Sequence, residues 1–116
     1  MIDIIQGETQ KLTFNLQTET GEQVDPASLS QITVEFYHEG GSRVLAKYAY
    51  PSLAGYRTGA LDSENKTVIF YIEGADTRLF PMGRIIGRVT MKMVDANYVD
   101  GFNIRKARDA IFNVLS

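Results

Sequence analysis

The chain has no cysteine, no tryptophan, one histidine and three prolines in 116 residues. Without cysteine there is no disulfide framework, no thiolate metal site and no thiol nucleophile. His38 therefore has no second imidazole or thiolate with which to build a metal site, and its place beside Glu39 at a glycine-rich turn reads as that of an exposed turn residue. No apolar run approaches the about 20 residues that cross a bilayer. The start of the chain lacks both the basic stretch and the apolar segment of roughly 7–15 residues that make a secretion signal. The expectation is a soluble protein made in the cytoplasm, with no signal peptide and no transmembrane segment. A formal charge of −2 gives no general attraction to phosphate backbones or anionic membranes, so neither nucleic acid nor a membrane is an expected partner. Serines and threonines are frequent, but no Gly-x-Ser-x-Gly elbow with a partnered base is present, and Gly40-Gly41 lacks the following lysine of a phosphate loop. Carboxylates are scattered as Asp3, Glu8, Asp25, Glu73, Asp76, Asp95 and Asp100. The segment 95–100 offers oxygen ligands, yet its spacing fits no EF-hand, and turn formation accounts for it. No catalysis, cofactor or metal is expected.

What the sequence does have is alternation. Its centre is the stretch 67–94, where Val68, Phe70 and Ile72 fall on one side of a first run, and Ile85, Val89, Met91 and Met93, with Gly87 among them, on one side of a second. Both are strand patterns of period two. Residues 73–80 between them suit a single helical turn, with Gly74 as entry and Pro81 as stop. Further strands are predicted over 2–5, 11–18, 31–38 and 43–50. Gly21 serves the turn after the second of these, Asp25 caps a turn opened by Pro26, Leu29 plugs the core, and Gly40-Gly41 supplies a hairpin. Residues 51–62 show no sustained period and read as a loop with a short edge strand. Residues 103–115 admit a helix, with Asn103 as cap, or a strand; an all-β core that needs a closing strand favours the strand. About seven short strands punctuated by glycine turns predict a single domain, 1–116, built as an immunoglobulin-like antiparallel β-sandwich with one helical turn near 75–80.

Two surface features carry the functional reading. Arg84, Arg88, Lys92, Arg105, Lys106 and Arg108 lie on the last two strands. A register with Met93 opposite Ile104 places Lys92 opposite Arg105 and Arg88 opposite Asp109 on the outer side, the second a charge pair worth roughly 0.2–1 kcal/mol. It also turns Lys106 and Arg108 inward near Met91 and Val89, which a bulge near Ala107 would relieve. The alternative use of these cations is a basic patch that meets an acidic protein. Tyr37, Tyr48, Tyr50, Tyr56 and Tyr98 are the candidate partner-binding residues, because a flat apolar ring with a polar tip suits protein interfaces and sugar faces alike.

The order of short motifs carries a resemblance. Gln6-Gly7-Glu8-Thr9 is followed by Thr20-Gly21-Glu22-Gln23-Val24-Asp25, then Gly74-Ala75-Asp76-Thr77, Phe80-Pro81-Met82-Gly83-Arg84 and the closing Ile111-Phe112-Asn113-Val114-Leu115. This succession resembles the N-terminal immunoglobulin-like domain of tailed-phage baseplate upper proteins and related tail-fibre attachment modules. Asp25-Pro26-Ala27-Ser28-Leu29 departs from that family's pattern, as does the tract 51–62, and family members continue into a linker and a receptor-binding or scaffold region. The resemblance implies a non-catalytic structural or docking module of a phage or prophage tail or baseplate, carried in the virion. It would bind other tail proteins, or copies of itself, through an exposed sheet face around residues 31–50. The alternative is a carbohydrate- or receptor-binding sandwich in which Tyr50, Tyr56 and Tyr98 stack on a glycan.

Overall fold

The computed structural model describes residues 1–17 and 21–116. They form nine strands: β1 (Ile2–Ile5), β2 (Gln10–Phe14), β3 (Leu29–His38), β4 (Val44–Tyr50), β5 (Arg57–Thr58), β6 (Ala60–Asp62), β7 (Thr67–Ile72), β8 (Gly83–Val94) and β9 (Phe102–Leu115). A single helical turn, α1 (Gly74–Thr77), joins β7 to β8. Six strands form one sheet in the order β1-β9-β8-β3-β4-β5, and three form a second, β2-β7-β6. The all-β sandwich expected from the alternation is therefore present. It is antiparallel except where β1 runs parallel to β9 and β5 to β4. No helix among the described residues is long and apolar enough to cross a membrane.

The two strands beyond the expected seven come from the tract without a period. β5 belongs to the large sheet and β6 to the small one, so the chain changes sheets at Gly59. The Gly59 N–H donates to the Ala49 carbonyl at 2.8 Å, and a Cβ there would lie 2.5 Å from the Phe70 ring. Only glycine lets the backbone cross so near that ring. The strand predicted over 11–18 is shorter than expected: β2 ends at Phe14, and Gln17 makes a lone bridge to Gln23. Thr18, together with Glu19 and Thr20 of the predicted turn, lies outside the described residues. The β3–β4 hairpin forms, but Gly40 and Gly41 both hold ordinary φ angles, contrary to the positive values expected of them. His38 secures this turn instead: its Nδ1 accepts from the Gly40 N–H at 3.3 Å and its Nε2 meets the Met82 carbonyl at 3.1 Å. Residues 103–115 are strand throughout, because β8 offers a backbone partner along almost their whole length and tertiary pairing overrides local helix propensity.

Both sheets turn their alternate residues into one core. Phe36, Tyr48 and Phe112 from the large sheet meet Phe70 from the small one, and Phe80, which follows α1, closes one end. Phe36 sits at the centre, with ring centroids 5.6 Å from Phe112, 5.9 Å from Phe80 and 6.0 Å from Tyr48. Gly87 on β8 lies opposite Phe36. The space that its missing side chain leaves is filled by Ile111, whose Cγ1 would stand 2.7 Å from a Cβ at that position.

Ile111 reaches that space because β9 carries one extra residue there. Ile85 pairs with Phe112, but Ile86 pairs with Ala110, so Ile111 has no opposite number on β8. Beyond this bulge every β9 residue is shifted by one position and thus faces the other side of the sheet from the unbulged register. This corrects the predicted pairing: Arg88 faces Arg108 and Lys92 faces Ile104, while Asp109 lies opposite Gly87. The bulge expected near Ala107 occurs at Ile111, and it turns Lys106 and Arg108 outward as charge requires. Gly87→Ala should lower unfolding free energy by about 1–3 kcal/mol through overpacking, measured by urea denaturation. Ile111→Ala in the same chain should restore part of that loss; simple additivity of the two changes would refute the contact.

Candidate functional site

The five tyrosines do not share a surface. Tyr48 is 1% exposed and lies in the core, so it cannot stand on a partner-facing surface as expected. Its hydroxyl donates to Asp76 Oδ2 at 2.6 Å and accepts from the Glu73 N–H at 2.9 Å. Tyr50 is half-buried and packs against the core. Tyr56 lies under the Lys47 ammonium, 4.8 Å from its ring centroid. Tyr98 is exposed on the β8–β9 loop. Tyr37 is 8% exposed on the outer face of the large sheet, roofed by the guanidinium groups of Arg88 and Arg108 at 5.8 and 5.5 Å. Tyr50, Tyr56 and Tyr98 therefore do not make one sugar-stacking platform.

A cleft of about 610 Å³ lies between β4 and the segment that leads into β5. Its charged side chains are already matched. Arg57 clamps Asp76 through Nε at 2.8 Å and Nη2 at 3.2 Å, Lys47 sits on Tyr56, and Glu35 pairs with Arg88 at 3.2 Å. Burial alone pushes the Asp76 carboxyl up, but the hydrogen bonds from Arg57 and Tyr48 outweigh it and hold the group below its ordinary value. Burial, and then the bond to the Asp76 carboxylate, pushes the Tyr48 hydroxyl well above its own. The Asp76 bonds likewise raise Arg57. The corner is a staple. Thr77 Oγ1 donates to the Glu8 carbonyl at 2.6 Å and accepts from the Gly7 N–H at 3.1 Å, and Gln6 Nε2 donates to the Phe80 carbonyl at 2.7 Å. Gly74 is required where it is, since a Cβ there would stand 2.5 Å from the Gly7 carbonyl oxygen. The motif residues of 6–9 and 74–77 thus tie β1, β2 and α1 together. Sequence reasoning missed the part played by Arg57, because it lies in the tract without a period.

The better candidate is the ribbon of β8 and β9. It carries six of the chain's twelve cationic side chains and one of its fourteen carboxylates, and is positive by five while the rest is negative by seven. The cations expected to be neighbours are brought together. Arg88, Lys92, Lys106 and Arg108 fall on the outer face of the large sheet with Tyr37, Glu35 and the exposed Ile104. Lys92 lies 4.0 Å from the Phe102 ring centroid. Arg84 reaches Glu39 at 3.9 Å, both well exposed. Arg88 with Glu35 replaces the Arg88–Asp109 pair expected from the sequence.

Arg105 is on the opposite, inner face, across from Met91. There the small sheet stops short, leaving a groove of about 280 Å³ floored by Phe14, Leu16, Val89 and Met91. The Nη1 of Arg105 is buried with no hydrogen-bond partner among the described residues. Beside this groove runs a free strand edge: β1 covers only residues 112–115 of β9, and no described strand pairs with the outer edge of residues 102–111. Asp109 Oδ1 accepts from the Ala110 N–H at 2.9 Å next to the bulge.

Tyr48→Phe should destabilise the protein by about 1–3 kcal/mol, because it strips Asp76 and the Glu73 N–H of a partner. Asp76 has a lowered folded pKa, so its contribution is complete above the ordinary aspartate range and is lost as pH falls through the lowered value, below about pH 4. Acid titration of stability should show this loss in the wild type and a smaller one in Arg57→Gln; equal slopes would contradict it.

Comparison with protein families, with curated proteins and with solved structures finds no match.

Proposed function

We propose that this chain is a non-catalytic docking module of a phage or prophage tail or baseplate, which binds an acidic surface of another tail protein through the outer face of its larger sheet. The observation that carries the reading is the segregation of charge: a ribbon positive by five on a chain that is otherwise negative by seven. Exposed cations of one sign do little for folding. They are effective at steering an oppositely charged partner and at rejecting a like-charged one. The tail assignment rests on the ordered resemblance to baseplate upper proteins. The docking assignment rests on the face that β3, β8 and β9 share, where Tyr37 supports the two guanidinium groups of Arg88 and Arg108. This shifts the expected centre of docking from the 31–50 hairpin toward β8 and β9. In the cleft Asp76 and Glu35 are each held by an arginine and Lys47 lies against Tyr56, which favours binding over catalysis.

A closed two-fold dimer through this face would set cations against cations, so a heterologous partner is the better fit. Mass spectrometry of particles purified from the host that encodes the chain should detect it at the level of a structural protein. Particles made with Arg88→Glu and Arg108→Glu together should lose it, although the doubly substituted protein remains folded by circular dichroism. Its absence from wild-type particles would overturn the tail reading; retention of the folded double variant would overturn docking through this face.

A further inference from the structure

Resting on that reading, we propose that the partner supplies an extended acidic segment, which adds as a strand to the free edge of β9 over residues 102–108 and sends one carboxylate to Arg105. Three independent observations converge on this place. The first is backbone: the outer edge of β9 meets β1 only at 112–115, so the N–H and C=O groups that point outward from 102–108 have no described strand to pair with, and of them the Phe102 N–H donates to the Asp100 carboxylate at the start of the edge. An added strand satisfies them at once, which is the basis of recognition by strand addition. The second is charge. Arg105, Lys106 and Arg108 lie within four consecutive residues of the edge, with no carboxylate among those four. A second copy of β9 in this position would bring its own cations alongside, whereas a segment rich in glutamate or aspartate finds a cation on either face of the sheet. The third is the buried Nη1 of Arg105, a charged donor without a hydrogen-bond partner among the described residues, beside an apolar groove. A bound segment would send alternate side chains inward over Phe14, Leu16, Val89 and Met91. One carboxylate among them would complete the guanidinium.

The geometry also sets the limits of the occupant. At about 3.3 Å per residue the strand spans seven or so residues. It ends before Phe112, where β1 begins. The Asp109 carboxylate, already bonded to the Ala110 N–H, marks the same boundary with a charge that repels an acidic segment.

The probe is a short blocked peptide that alternates glutamate with valine, one central valine being exchanged for glutamate, added to the isotope-labelled chain. Binding should weaken with salt and should slow hydrogen exchange at backbone amides within 102–108. Arg105→Gln, with an unchanged thermal midpoint, should weaken it about tenfold, the effect expected for one charge-assisted hydrogen bond. The same peptide methylated at every backbone nitrogen should not bind, since neither of its edges keeps a donor. No binding at millimolar peptide, or undiminished binding of the methylated peptide, overturns strand addition. Undiminished binding to Arg105→Gln overturns the carboxylate contact. Peptide shifts confined to residues 33–37 and 88–92 sink the edge proposal while leaving docking on the outer face intact. That docking fails separately, through retention of the Arg88→Glu, Arg108→Glu protein in particles.

Discussion

The packing of Ile111 over Gly87 controls more of this molecule than any other contact. Gly87 lies opposite Phe36, where its missing side chain would leave a void beside that ring. A void of that kind costs dispersion contacts on every wall. Ile111 fills it only because β9 takes in one unpaired residue, and that residue reverses the facing of everything beyond it. In the unbulged register Lys106 and Arg108 would be driven against Val89 and Met91, a burial of charge without partners. With the bulge they lie outside beside Tyr37, and it is Arg105 that points inward. A packing demand at one glycine therefore decides where the basic face is and which arginine lines the groove.

The two ends of the sandwich are built differently. At the α1 end, side-chain hydrogen bonds join four elements: Tyr48 from β4, Arg57 from β5, Asp76 and Thr77 from α1, and the β1–β2 connection through Gly7 and Glu8. Buried polar groups there are matched to one another, which makes that end costly to distort. At the other end the β8–β9 hairpin carries its apolar residues outward: Val94, Tyr98, Val99 and Ile104 are exposed. A stapled end and an open, basic ribbon with a free edge fit a module that is held rigid while it receives another chain.

Period-two alternation made seven strands legible in the sequence, because one face of each must meet the core and the pattern survives without knowledge of the partner. The helical turn over 74–77, the plugging role of Leu29 and the positive φ of Gly21 were legible for equally local reasons. The clustering of cations on the last two strands was legible too, since adjacent segments joined by a short loop pair with each other. Their facing was not. The register read from the sequence holds from Ile85 to Gly83 and fails from Ile86 onward, for a bulge is chosen by the void it fills and leaves no periodic trace. β5 and β6 were hidden for a similar reason: strands of two and three residues are too short to alternate, and they pair with β4 and β7, which belong to different sheets.

The tyrosines separate local from tertiary information most clearly. Composition and alternation showed that Tyr48 and Tyr50 share one face of a strand. That this face is the core, and that the Tyr48 hydroxyl is satisfied there by Asp76 and the Glu73 N–H, followed from contacts across 25 and 28 positions of sequence. The sequence by itself determined the fold class, the strands that alternate and the concentration of positive charge on the last two. Only the tertiary structure decided which side each cation faces, which tyrosine is buried and where a strand edge stays open, because each depends on what the opposite sheet supplies at one position.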